Sequence, residues 1–210
     1  VGSQPTKPES LVFPSVIWEC INQTMYKSFI LPLFDYADII WDNCAEYQAN
    51  TLENLHLDAL RIITGSVRGT SHQKLYEESG FCTLKERRRR HKIIMFYKII
   101  HNICPIYLSN LLPPLVSTVN PYHRRRPMER LVPAHHTDIY NKSFFPSTST
   151  LWNSLPLFIQ QTQSIGQLKH YLFSADTPVP RHYYLGNRKE QIIHCRLRLG
   201  MSDLKHDMYN

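Results

Sequence analysis

A mainly α-helical fold is predicted by three features of this sequence. Apolar residues recur at three- and four-residue steps through most of the first half, cap and stop residues punctuate those stretches, and prolines crowd into the second half where the period fades. Residues 1–14 are rich in Pro, Ser and Lys without a hydrophobic period, so they read as a linker or severed end. The start, Val1-Gly2-Ser3-Gln4-Pro5, has no methionine and no signal-peptide plan, and reads as a cut end. From Ser15 the spacing of Val16, Ile17, Cys20, Ile21, Met25, Phe29 and Ile30 predicts a helix that Pro32 kinks or restarts before Phe34, Ala37, Asp38 and Trp41.

The segment from Asn50 to Thr64 is the clearest helix. Asn50 can cap it, Glu53 falls at the third helical position, Leu52, Leu55, Ala59, Ile62 and Ile63 form one stripe, and Gly65 ends it. A short helix is predicted from Ser71 to Ser79 with Gly80 as its stop, and Thr83-Leu84-Lys85-Glu86 is a capping box opening a long helix to about Asn102. After Pro105 come Pro113, Pro114, Pro121, Pro127, Pro133 and Pro146, interleaved with Tyr122, Tyr140, Phe144, Phe145 and Trp152, a texture that predicts loop or short strands. Ser164 and Gln167 repeat the capping-box spacing ahead of Leu168, Tyr171, Leu172 and Phe173, and Asn187 to Leu199 reads as a last helix closed by Gly200. The resulting plan is a helical domain at 15–115, a Pro-rich basic and aromatic connection at 116–163, and a C-terminal helical segment at 164–210, with no internal repeat.

Composition narrows the function classes. The 210 residues suffice for one large domain or two small ones. Lys and Arg outnumber Asp and Glu by 24 to 17, giving a formal charge of +7 and a pI near 9.2, which favours polyanion partners if the charge is clustered. Cys20, Cys44, Cys82, Cys104 and Cys195 are odd in number and widely spaced, so neither a disulfide framework nor a zinc site is expected, and the simple expectation is a reducing, intracellular setting, nuclear or cytoplasmic. Asp35, Asp38 and Lys98 interrupt the most hydrophobic stretches, so no membrane span is expected.

The strongest charge feature is Lys85-Glu86-Arg87-Arg88-Arg89-Arg90-His91-Lys92. Arginine forks bind phosphate oxygens bidentately and stay charged at any relevant pH. Taken alone, such a run more often forms a solvated helix face, here with Glu86 and Arg90 paired one turn apart. A second run, Arg124-Arg125-Arg126, lies beside Tyr122 and His123, near His135 and His136, and would suit a surface that stacks bases and neutralises phosphate, or simply an exposed basic loop. Arg181, Arg188, Lys189, His194, Arg196 and Arg198 form a third basic segment, and the three together favour nucleic-acid contact.

Tyr36-Ala37-Asp38-Ile39 superficially follows the aromatic-Ala-Asp-Asp turn of reverse transcriptase palms but lacks the second aspartate, so Asp35 and Asp38 read as polar positions on a partly buried helix. Gly65-Ser66-Val67-Arg68-Gly69 lacks the spacing and lysine of a phosphate loop, GxSxG and HExxH do not occur, and His194-Cys195 has no further ligands after it. No catalytic residue, metal site or cofactor is expected.

Taken together, Tyr26 to Trp41 (YKSFILPLFDYADIIW), Leu55 to Gly65, Leu75 to Phe81, Leu84 to His91, Cys104 to Leu108, Thr150 to Pro156 and Ile192 to Gly200 resemble successive pieces of the region beyond the palm in reverse transcriptases of jockey-like non-LTR retrotransposons. The resemblance runs from about Ser15 to the end and keeps the order and spacing of the pieces. It implies a thumb-like helical bundle followed by the C-terminal segment, a part that grips RNA or an RNA–DNA template-primer beside the palm, while the chemistry of such an RNA-directed DNA polymerase lies elsewhere in the enzyme. On this reading Arg87, Arg88, Arg89, Arg90, Lys92, Arg124, Arg125 and Arg126 are the residues that meet nucleic acid. The alternative is a relic or domesticated helical protein-interaction module whose apolar surface packs on a partner. One continuous basic face would favour the first, and arginines scattered or neutralised by acidic neighbours the second.

Overall fold

The computed structural model describes residues 21–119, 128–134, 136–174, 189, 192 and 193. The described residues form eleven α-helices and no strand: α1 Leu31–Asp35, α2 Asp38–Trp41, α3 Glu46–Thr64, α4 His72–Ser79, α5 Leu84–Ile100, α6 Ile106–Asn110, α7 Val116–Val119, α8 Asp138–Lys142, α9 Phe144–Asn153, α10 Leu157–Gln160 and α11 Ile165–Phe173. None of these helices is long and apolar enough to cross a membrane. The expected helix at Asn187 to Leu199 lies outside the described residues, apart from three isolated positions, as does the linker expected at 1–14.

The helix entering α1 breaks later than its proline suggests. Tyr26–Ile30 is a π-helical turn, and the Leu31 N–H closes it on the Tyr26 carbonyl. Pro32 follows inside this continuous helical run, where it has no N–H to donate, and the π turn falls on the residues that its ring would crowd. The chain turns instead at Ala37, whose φ of 52° lies in the left-handed region.

The chain divides into two compact units, and one of the divisions falls inside α3 between His56 and Leu57. In the described part of the first unit, Tyr26, Leu31, Leu57, Leu60, Ile63 and Leu75 are buried. α3 starts at Glu46, four residues before the expected cap Asn50, and Gly65 stops it with φ 73°. Its buried side chains include Leu57, Leu60 and Ile63, whereas Leu55 and Ile62 of the expected stripe face solvent. The sequence offers two adjacent apolar stripes here, and the 3.6-residue period alone does not choose between them. α4 is as expected: the Ser71 hydroxyl accepts the Lys74 N–H at 3.4 Å, and Gly80 ends the helix with φ 69°.

The second unit is organised by α5, which packs against α2, α6, α9 and α11. Thr83 caps it by accepting the Glu86 N–H at 3.1 Å. Glu53, expected to serve its own helix, instead accepts the Leu84 N–H at 3.1 Å, placing a carboxylate at the positive end of α5. At the other end Asn102, with φ 54°, lets the Ile103 N–H return to the Lys98 carbonyl at 2.9 Å. The core joins Ile93, Phe96 and Tyr97 of α5 to Trp152, Leu155, Ile159, Leu168 and Leu172. Phe96 and Tyr97 meet the Trp152 ring at centroid distances of 5.7 and 6.5 Å. Each such fully buried side chain contributes about 1.5–3 kcal/mol by leaving water.

The Pro-rich region, expected as loop or short strands, is largely helical over its described part. Three of its prolines stand at helix starts, Pro105 and Pro156 as N-caps of α6 and α10 and Pro146 as the third residue of α9, while Pro113, Pro114 and Pro133 lie outside helices. At these positions no intrahelical N–H bond is lost. Among the described residues the extended pairing is a single antiparallel bridge between Leu115 and Arg130. Asn153 clamps it, accepting the Arg130 N–H at 3.0 Å and donating to the Arg130 carbonyl at 2.8 Å. α11 begins after Ser164 as expected, but without a side-chain cap from Ser164; Gln167 pairs with the Thr162 hydroxyl instead.

Candidate nucleic-acid interface

Four positions of the basic run, Arg87, Arg88, His91 and Lys92, fall on one face of α5 because they are spaced one and four residues apart. All four meet aspartates of the preceding segment 33–42. Arg87 grips Asp35 with both forks, Nε to Oδ1 at 2.5 Å and Nη2 to Oδ2 at 2.6 Å. Arg88 Nε donates to Asp42 Oδ1 at 2.6 Å while its guanidinium lies 5.2 Å from the Trp41 ring centroid. Lys92 Nζ reaches the other Asp42 oxygen at 2.5 Å and donates to Ser147 Oγ at 3.1 Å. His91 Nδ1 lies 2.6 Å from Asp38 Oδ2.

The remaining two arginines face Glu86. Arg89 meets it at 3.2 Å and Arg90 at 3.3 Å, and the Arg90 guanidinium also lies 5.0 Å from the Phe173 ring centroid. Arg88, Arg90 and Lys92 are buried, Arg87 is half-buried, and Arg89 is the most exposed of the five. The one-turn pair of Glu86 with Arg90, expected for a solvated face, is therefore present, but the arginine in it is inside the protein.

Electrostatics follow the geometry. Burial alone would raise the Asp42 carboxyl, yet hydrogen bonds from Lys92 and Arg88 and their charges hold it below its ordinary value. Asp35 raises the Arg87 guanidinium above its usual value, against the effect of burial. His56, buried between the Phe34 and Phe81 rings, is pushed down mainly by desolvation and lies 3.2 Å from the Cys82 carbonyl.

Asp35, Asp38 and His91 present ligand atoms within 4.8 Å of one another. The Arg87 guanidinium already occupies both oxygens of Asp35, and His91 takes one oxygen of Asp38. Asp35 thus stands in an ion pair with Arg87, and Asp38 is held by the His91 ring nitrogen.

Arg124, Arg125 and Arg126, with Tyr122, His123 and His135, lie outside the described residues, as do Arg181, Arg188, His194, Cys195, Arg196 and Arg198. Asp42, which joins two of the basic residues, was not singled out from the sequence. The signal was the spacing of Asp35, Asp38 and Asp42, three and then four residues apart, complementary to cations four residues apart on α5. Comparison with family models, with curated proteins and with solved structures finds no match.

Proposed function

We propose that this chain is a non-catalytic helical part of a retroelement-type reverse transcriptase, and that its described helices act chiefly as a docking scaffold for the rest of that enzyme. The observation that carries this reading is the internal use of charge: four of the five α5 cations expected to meet phosphate are paired with Asp35, Asp42 or Glu86 in half-buried or buried contacts. Beside these closed pairs, Leu33, Tyr36 and Ile40 are each more than 70% exposed, which suits a surface that packs on another domain. The resemblance supplies that domain, the palm. Mixing the purified chain with a palm-containing segment of a jockey-like reverse transcriptase should give a complex that Leu33→Lys and Ile40→Lys together abolish. An unchanged complex in the double variant would sink the assignment of this surface.

A grip on RNA or RNA–DNA template-primer is the second reading, favoured by the +7 charge and by the Arg124-Arg125-Arg126 run. It is tested by duplex binding across a salt titration. Changing Arg124, Arg125 and Arg126 to alanine should flatten the salt slope by roughly 0.9 for each phosphate that is no longer neutralised. A folded chain that binds no duplex at low salt would leave the docking role alone.

A further inference from the structure

We infer that the segment 33–42 is an acidic strap lying in a phosphate-binding site of α5, and that a nucleic-acid backbone displaces it to take the same cations. This inference rests on the nucleic-acid reading above and adds a mechanism of regulation to it.

Three observations point to a strap. Every basic residue on this face of α5 has its partner in one short segment: Asp35 for Arg87, Asp38 for His91, Asp42 for Arg88 and Lys92. Carboxylates spaced along one strand of chain present what phosphates present, oxygen pairs that accept bidentate forks and point charges. The α-helical rise puts Arg87 and Lys92 about 7.5 Å apart along the axis, so the site is a linear track and not a single pocket.

The attachment of the segment is also unusual. Between residues 33 and 42 the one fully buried side chain is that of Asp38, while Leu33, Tyr36 and Ile40 point outward. Phe34, Ile39 and Trp41 are half-buried, so apolar packing contributes, but much of the polar attachment is electrostatic and therefore open to competition by another polyanion. The segment has a bend at Ala37, between α1 and α2, where φ is 52°, a left-handed conformation disfavoured for alanine. Arg88 lies against Trp41 and Asp42, both parts of the strap, so lifting this segment uncovers Arg88 together with Arg87.

The test is hydrogen exchange of the intact chain with and without a generic-sequence RNA–DNA duplex at low salt. The expected result is faster exchange of the amides of 33–42 when duplex is added, with slower exchange in the first turns of α5. Asp35→Asn, which loosens the most exposed of the strap pairs, should bind duplex on the order of tenfold tighter, as one removed competitor of about 1.4 kcal/mol would give. It should also steepen the salt slope by roughly one phosphate's worth. Both effects should vanish in Asp35→Asn/Arg87→Ala. If duplex binds while 33–42 keeps its protection, the strap is a permanent part of the fold and the inference is overturned, with the second reading intact through Arg124 to Arg126. If neither the wild-type chain nor Asp35→Asn binds duplex while circular dichroism shows both folded, the nucleic-acid reading and the strap fall together.

Discussion

Asp42 shows how much one carboxylate decides in this protein. Its two oxygens hold Arg88 Nε and Lys92 Nζ, both on buried side chains, and Arg88 Nη1 has no hydrogen-bond partner among the described residues. Asp42→Ala leaves two buried cations uncompensated and should cost about 3–5 kcal/mol, read as a lower denaturant midpoint. Because the folded carboxyl titrates below its ordinary value of 3.8, its contribution is complete above that pH and is lost as pH falls through the lower folded value. His56 works in another window. Its folded pKa is below the ordinary 6.5, so the unfolded chain takes up the proton first; stability is complete above about pH 6.5 and declines as pH falls below it. Thermal melts of His56→Gln should lose part of that decline between pH 7 and 5 while the wild type keeps it. The cap residues Ser71 and Thr83 were legible from sequence because their partners lie three residues away. The partners of Arg87 and Arg88, 52 and 46 residues away, were not.

At the scale of elements, α5 is the organiser, and its start is held by two acceptors from different parts of the chain. Thr83→Ala should lower stability by about 1 kcal/mol, the usual value of an N-cap. Glu53→Ala should add to it by freeing the Leu84 N–H, and a double-mutant cycle on denaturant midpoints would measure the coupling. The bridge between Leu115 and Arg130 depends on Asn153, whose replacement by alanine removes both clamping bonds. The expected cost is about 1–3 kcal/mol, with faster amide exchange at 128–134. The helices at 138–153 were hidden in the sequence by their prolines and aromatics. Pro146 reads as a breaker until its place in the first turn is known, and Phe144 and Phe145 become helical by packing near α5, where Phe144 lies 6.4 Å from Phe96.

For the whole molecule, the consequence concerns what a charge change can report. Replacing Arg87, Arg88, Arg89 and Arg90 together with alanine removes two buried arginines and breaks pairs that join α5 to the segment before α3. We expect that variant to be largely unfolded by circular dichroism, so a failure to bind nucleic acid would say nothing about which residues touch it. Arg89→Ala is the informative single change, since its side chain is 39% exposed and pairs only with Glu86 among the described ion pairs. It should stay within about 1 kcal/mol of wild type, as for an exposed pair.

The sequence by itself determined the helical class, the position of α4, both ends of α5 and the end of α3, because periodicity, hydroxyl caps and left-handed Gly or Asn act within a few residues of chain. Only the tertiary structure decided which stripe of α3 is buried, that Glu53 caps a different helix, and that Arg87 and Arg88 of the arginine run face aspartates in place of water. Those outcomes depend on which distant surface is complementary, and a charge or an apolar stripe carries no mark of its partner until the chain has closed around it.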